Sequence, residues 1–211
     1  MLRKKASKQQ IRLLKTIVFN TCLIPFLLII WDGFNDLLGA DPIKTLHVRT
    51  GDWALRFLLI TLLMSPLQRA FNVSLPIRFR RMFGLFAFFY ASLHLAVWLV
   101  LDQSLRVDHM LEDIPESPYI MLGLLAYLML IPLAITSTKG MMRRLGKRWV
   151  ELHRSLYLIA VMGVVHFFWL TKLDDMEPLI YAVMLIILLM LRWHTLKKIL
   201  TFNGKRPNGV K

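Results

Sequence analysis

The sequence predicts an all-α membrane protein, a bundle of six transmembrane helices with both termini cytoplasmic. Three observations carry this expectation. Hydrophobic residues make up 56% of the 211-residue chain and mean hydropathy is +0.54, too apolar for an ordinary soluble domain. Apolar segments fall at about 14–31, 53–68, 82–101, 118–137, 151–170 and 178–195, each near the length a helix needs to cross a bilayer. Lysine and arginine are concentrated in alternate connections, as a positive-inside topology requires.

In chain order, the basic start MLRKKASKQQIRLLK precedes the first segment. No small-residue cleavage site follows it, so the segment reads as an uncleaved first span, kinked at Pro25. The single cysteine, Cys22, lies inside this span and is expected to pack as a small hydrophobe. Gly39-Ala40-Asp41-Pro42 breaks the first external loop, which is expected to run to the second and shortest span. That span carries Arg56 several residues inside. Pro115 and Pro118 frame the entry to the fourth span, and Pro132 should kink it. The connections are short, so residues 1–211 form a single transmembrane domain.

Twenty-one of the 27 Lys and Arg residues fall in segments 1–15, 69–81, 138–149 and 192–211, all on one side if the spans alternate. Of the 13 acidic residues, only Glu151 lies near that side. The formal charge of +14 is therefore a topogenic signal with some attraction to anionic lipid, and no nucleic-acid partner is expected.

Topology sorts the six histidines. His47 and His109 are expected in external loops and His194 at the cytoplasmic edge, positions where a histidine is usually solvated. His94, in SLHLAVW of the third span, lies roughly 10 Å inside the outer boundary, and His166 of the fifth roughly 6 Å, on the helical rise. Ionisable side chains at such depth are costly and usually functional. Two histidines on two helices, without carboxylate or cysteine, poorly suit zinc or iron–oxygen chemistry. They suit the two axial positions of a haem b inside an apolar bundle.

His153 lies thirteen residues before His166, roughly 20 Å along a helix and about 140° around it, so it cannot serve the same iron. The matching inner position on span three holds Arg80 or Arg81. His153 is therefore either the ligand of a second, inner haem or an interfacial histidine bonded to a quinone, a propionate or a carbonyl. Near the same face Arg78, Arg80, Arg81, Arg148 and Arg154 either hold propionates or a flavin phosphate or serve as anchors. Arg56 needs a partner at its depth: a propionate, a quinone oxygen, Asp52 or a carbonyl. Trp53, Trp98, Trp149, Trp169 and Tyr157 read mostly as an interfacial belt.

GADPIKTLHVRTG, LRFLLITLLMSPL, RFRRMFGLFAFFYASLHL, AITSTKGMMRRLGKRWVELHRSLYL and PLIYAVMLIILLMLR together resemble the MsrQ (YedZ) family, nearly end to end. This is the haem-binding membrane subunit of the bacterial periplasmic protein-methionine-sulfoxide reductase system, within the ferric-reductase-like transmembrane group that includes NADPH oxidases and metalloreductases. The resemblance implies a multi-pass protein of the bacterial inner membrane. It implies an electron-transfer subunit moving electrons from the quinone pool, or a cytoplasmic flavin donor such as a flavin reductase, through haem b. The acceptor is a periplasmic molybdopterin partner, which catalyses sulfoxide reduction and so repairs oxidised periplasmic proteins. It also implies FMN, and it matches His94, His153 and His166 to haem-associated histidines. The wider group's second inner-haem histidine on span three is absent, and so is its cytoplasmic NADPH and FAD domain. The alternatives are a direct ferric or oxygen reductase at the outer face, or a transporter or scaffold, which the lack of deep acidic residues argues against. The acidic 102–117 loop is the expected docking surface for the partner.

Overall fold

Helix α1 (Lys8–Phe34) starts where Ser7 caps it, accepting from Gln10 N–H while the Gln10 side chain accepts from Ser7 N–H. The computed structural model describes residues 7–170 and 176–192. Pro25 interrupts the α1 hydrogen-bond ladder, and a side chain from elsewhere fills the gap. The Tyr90 hydroxyl donates to the Cys22 carbonyl (2.8 Å) and accepts from Phe26 N–H (3.0 Å). Tyr90 is fully buried, and this insertion ties α1 to α3, while the Asp32–Arg49 ion pair ties α1 to α2. Tyr90→Phe leaves both backbone groups unpaired, and an expected loss of about 1–3 kcal/mol is measurable as a lower melting temperature in detergent.

Helix α2 (Pro42–Phe71) is longer than the expected second span. Asp41 accepts from Lys44 N–H and Pro42 supplies the pre-set first turn, so the helix begins in what hydropathy reads as a loop. Polar Lys44, His47, Arg49 and Asp52 depress the apolar signal without breaking the helix. His47 is accordingly a helical residue, which corrects the loop expectation.

After a 3₁₀ turn at Pro76–Arg78, α3 (Arg80–Ala96) passes directly into a π-helical segment over Val97–Asp102. The expected acidic loop contains a strongly amphipathic helix, α4 (Val107–Glu116), tied back where Gln103 donates to Asp113 (2.5 Å). Then come α5 (Pro118–Ile135), the short α6 (Lys139–Leu145) and α7 (Lys147–Leu152), α8 (Ser155–Leu170) and α9 (Glu177–Met190). Among the described residues there is no strand.

Helix α2 packs most extensively on α3, and α5 on α8. Between them lies a core of Phe57, Leu59, Leu62, Phe86, Ala87, Ile159 and Ala160. Leu27, Trp31, Leu128, Phe168, Ile180 and Ile187 point outward and are exposed, the distribution expected when lipid replaces water around the bundle. Five helical stretches are long and apolar enough to span a membrane, and α9 is a shorter apolar helix within the described residues. The protein is a multi-pass membrane protein.

Candidate functional site

Two histidines meet at the end of the bundle where α3 and α8 finish and α2 and α5 begin. The His94 and His166 ring centres are 6.1 Å apart and the rings are nearly perpendicular, at 86°. Each ring is held by a helix carbonyl. His94 Nδ1 lies 3.0 Å from the His47 carbonyl and 3.3 Å from Thr50 Oγ1, and His166 Nδ1 lies 2.6 Å from the Tyr119 carbonyl. An Nδ1–H committed to a carbonyl leaves Nε2 as the lone-pair donor, the usual outer-shell arrangement of a metal-bound histidine.

The approach to each carbonyl depends on a missing side chain. Four residues after His47 comes Gly51, and four residues after Tyr119 comes Gly123, each beside the carbonyl that receives the imidazole. A Cβ on residue 51 would lie 3.1 Å from His94 Cε1, and one on residue 123 would lie 2.8 Å from His166 Cε1 and Nδ1. Neither glycine is visible to a hydropathy reading. The only sequence signal is the four-residue spacing from the residue whose carbonyl accepts.

The residues fit an iron porphyrin. An imidazole–metal bond of about 2 Å on each side of one iron places the two ring centres about 6 Å apart, as here. Among the described residues no cluster of three or more His, Cys, Asp or Glu side chains could hold a bare metal ion. One turn beyond His94, in the π segment, the Trp98 indole N–H is buried and has no partner among the described residues. The His47 ring packs edge-on against His94 (5.3 Å, 80°), with Nε2 4.0 Å from Asp102. Sequence reasoning had set His47 aside.

The other expected site residues lie elsewhere. Trp149 stacks on His153 at 3.9 Å, His153 Nδ1 lies 3.0 Å from the Trp149 carbonyl, and the buried ring also has the Leu133 carbonyl in reach. This is the opposite end of the bundle, as the spacing required. Arg56 takes the Asp52 alternative: Nη2 donates to Asp52 (2.9 Å) and Nε to Tyr181 Oη (2.7 Å), with the guanidinium 5.0 Å over Trp53. Arg78 and Arg81 are exposed, and Arg81 reaches Met142 Sδ at 3.8 Å. His109 is exposed beside Asp108, and His194 lies outside the described residues.

Fold and site define a class: a multi-pass membrane helix bundle with two facing imidazoles from different helices at one end. The chain belongs to the MsrQ family, within the ferric reductase like transmembrane component family, whose description residues 50–164 match. It is 48% identical to the protein-methionine-sulfoxide reductase heme-binding subunit MsrQ of Xanthomonas euvesicatoria pv. vesicatoria, over 88% of this chain and 87% of that one. The MsrQ subunit of Herminiimonas arsenicoxydans is 44% identical over 91% of this chain and 89% of its own. No solved structure matches the chain.

Proposed function

We propose that this chain is a membrane cytochrome b, the haem-binding electron-transfer subunit of a protein-methionine-sulfoxide reductase system. It relays electrons from the quinone pool or a cytoplasmic flavin donor to a periplasmic molybdopterin-containing partner. The observation that carries this reading is the His94–His166 pair with each Nδ1 tied to a carbonyl. The name printed for its relatives, a haem-binding subunit of such a system, supports it. Haem b, when bound, accepts and passes on one electron at a time at a potential set by its ligands and surroundings.

The chain's own residues supply the rest. His94 and His166 hold the iron from two helices, and the His47 and Tyr119 carbonyls fix their tautomers. The surrounding apolar side chains exclude water. The Trp98 N–H suits a propionate oxygen. His153 serves a second haem b or its surroundings at the inner end. Exposed Arg78 and Arg81 suit the phosphate of FMN at the inner surface. Arg56 commits Nε to Tyr181 and one Nη2 bond to Asp52, which leaves its other N–H groups for a propionate or a quinone oxygen. The charge pattern supports six spans with both termini cytoplasmic, in the bacterial inner membrane.

The acidic face of α4 (Asp108, Glu112, Glu116) is the docking surface in this reading, and the Gln103–Asp113 contact holds it in place. The test is optical. Haem in the purified chain is reduced with a quinol or a flavin reductase, and its reoxidation is followed when the periplasmic partner and methionine sulfoxide are added. Partner-dependent reoxidation supports the reading, and reoxidation by ferric iron or oxygen alone opposes it. Reversing Asp108, Glu112 and Glu116 to Lys should slow the partner-dependent step about tenfold at low salt, with the difference shrinking as salt rises.

A further inference from the structure

At the end of the bundle opposite the His94–His166 pair, Arg192 follows the last turn of α9 and is only 2% exposed. Its Nη1 donates to Tyr157 Oη at 2.7 Å, and its guanidinium carbon lies 5.4 Å from the Tyr157 ring centre. Its Nε and Nη2 are buried and have no partner among the described residues. Those two nitrogens share one edge of the guanidinium and present parallel N–H bonds, the fork that matches a carboxylate or phosphate bidentately.

The surroundings compound the positive charge. Arg80, half-buried at the start of α3, lies within electrostatic reach of Arg192 and Tyr157, and His153 lies within reach of Arg80. Among the described residues neither arginine forms an ion pair with a carboxylate. Two of the four buried side-chain nitrogens without a partner among the described residues therefore belong to this one guanidinium. Among the described residues this buried guanidinium has a like-charged neighbour and no counter-ion, an arrangement that favours an anion at its open edge.

We infer that the Nε–Nη2 edge of Arg192, with Arg80 and His153 beside it, binds the anionic arm of a cofactor at the inner end of the bundle. The arm is a carboxylate or a phosphate. The propionate of an inner haem and the phosphate of FMN are its two sources. The inference rests on the proposed function only for the identity of the carrier.

The test uses the full-length protein in detergent and Arg192→Met, which keeps the apolar length and removes the fork. FMN binding is titrated by flavin fluorescence, and haem per polypeptide is measured as the pyridine haemochrome. Weakening of FMN binding by about ten- to a hundredfold with unchanged haem assigns the phosphate source. Loss of one haem equivalent with unchanged FMN binding assigns the propionate source. Arg144→Met, an exposed arginine of α6, should change neither.

A second measurement guards against misfolding. Cofactor-free Arg192→Met should melt at the same temperature as the cofactor-free wild type or higher, because an uncompensated buried charge has been removed. A lower melting temperature, or FMN binding and haem content both equal to wild type, overturns the inference. So does a wild type that binds neither ligand beyond the haem held by His94 and His166. That haem sits at the other end of the bundle and stays in the Arg192 variant, so the two readings fail separately.

Discussion

His166→Ala should purify with most of its haem absorbance gone, and His94→Ala should do the same. In the proposed function each ring would hold the iron from its own helix, so removing either would leave it held from a single helix. The neighbouring side chains offer no replacement of equal geometry: the His47 ring lies edge-on to His94 and is directed towards Asp102. His109→Ala, at an exposed position on α4, is the control and should keep wild-type haem content. The measurement is pyridine haemochrome per polypeptide, with helical circular dichroism to show that the bundle persists. Helicity is expected to hold, because both imidazoles bond to carbonyls that already belong to helical turns, and their loss leaves those turns intact. Normal haem content in His166→Ala would defeat the assignment.

Much of this site was legible in the sequence, for a physical reason. A histidine inside an apolar span has no solvent to satisfy it, so His94 and His166 stood out, and counting helical rise from the span ends put them at similar depth. The same arithmetic separated His153 from them by most of a membrane thickness. The i, i+4 spacing of Asp52 and Arg56 likewise anticipated one of the partners offered to that arginine.

What escaped the sequence reading were features that hydropathy averages away. Lys44, His47, Arg49 and Asp52 lowered the apolar score of the first turns of α2, and a helix start was read as loop although Asp41-Pro42 caps it. Amphipathic α4 was similarly read as a loop, since its apolar stripe is too short to suggest a span. Arg192 was counted only as a topogenic charge, because sequence does not show that it turns inward onto Tyr157. Gly51 and Gly123 carried no signal at all: their contribution is an absent Cβ at a helix–helix approach, which exists only once α2 faces α3 and α5 faces α8.

That absence can be tested most sharply at Gly123. Added to this backbone, an alanine methyl would sit 2.8 Å from both Cε1 and Nδ1 of His166 and 3.4 Å from Cγ. Non-bonded carbons do not approach so closely, so either the imidazole rotates off the Tyr119 carbonyl or α5 and α8 separate. Moving the ring is the smaller displacement, since it breaks one hydrogen bond while separation would disrupt the Ala126, Leu130, Ile159 and Ala160 core. Gly123→Ala should therefore fold, with unchanged helicity, and bind haem about ten- to a hundredfold more weakly, the usual effect of losing a partner that orients a ligand. Gly51→Ala should be milder, because its methyl would meet His94 Cε1 and Nδ1 at 3.1 and 3.2 Å, a clash that a shift of a few tenths of an ångström relieves. Haem titration of the two cofactor-free variants checks the order. If Gly123→Ala bound haem as tightly as wild type, His166 could not be gripping the iron from the position where the Tyr119 carbonyl holds it.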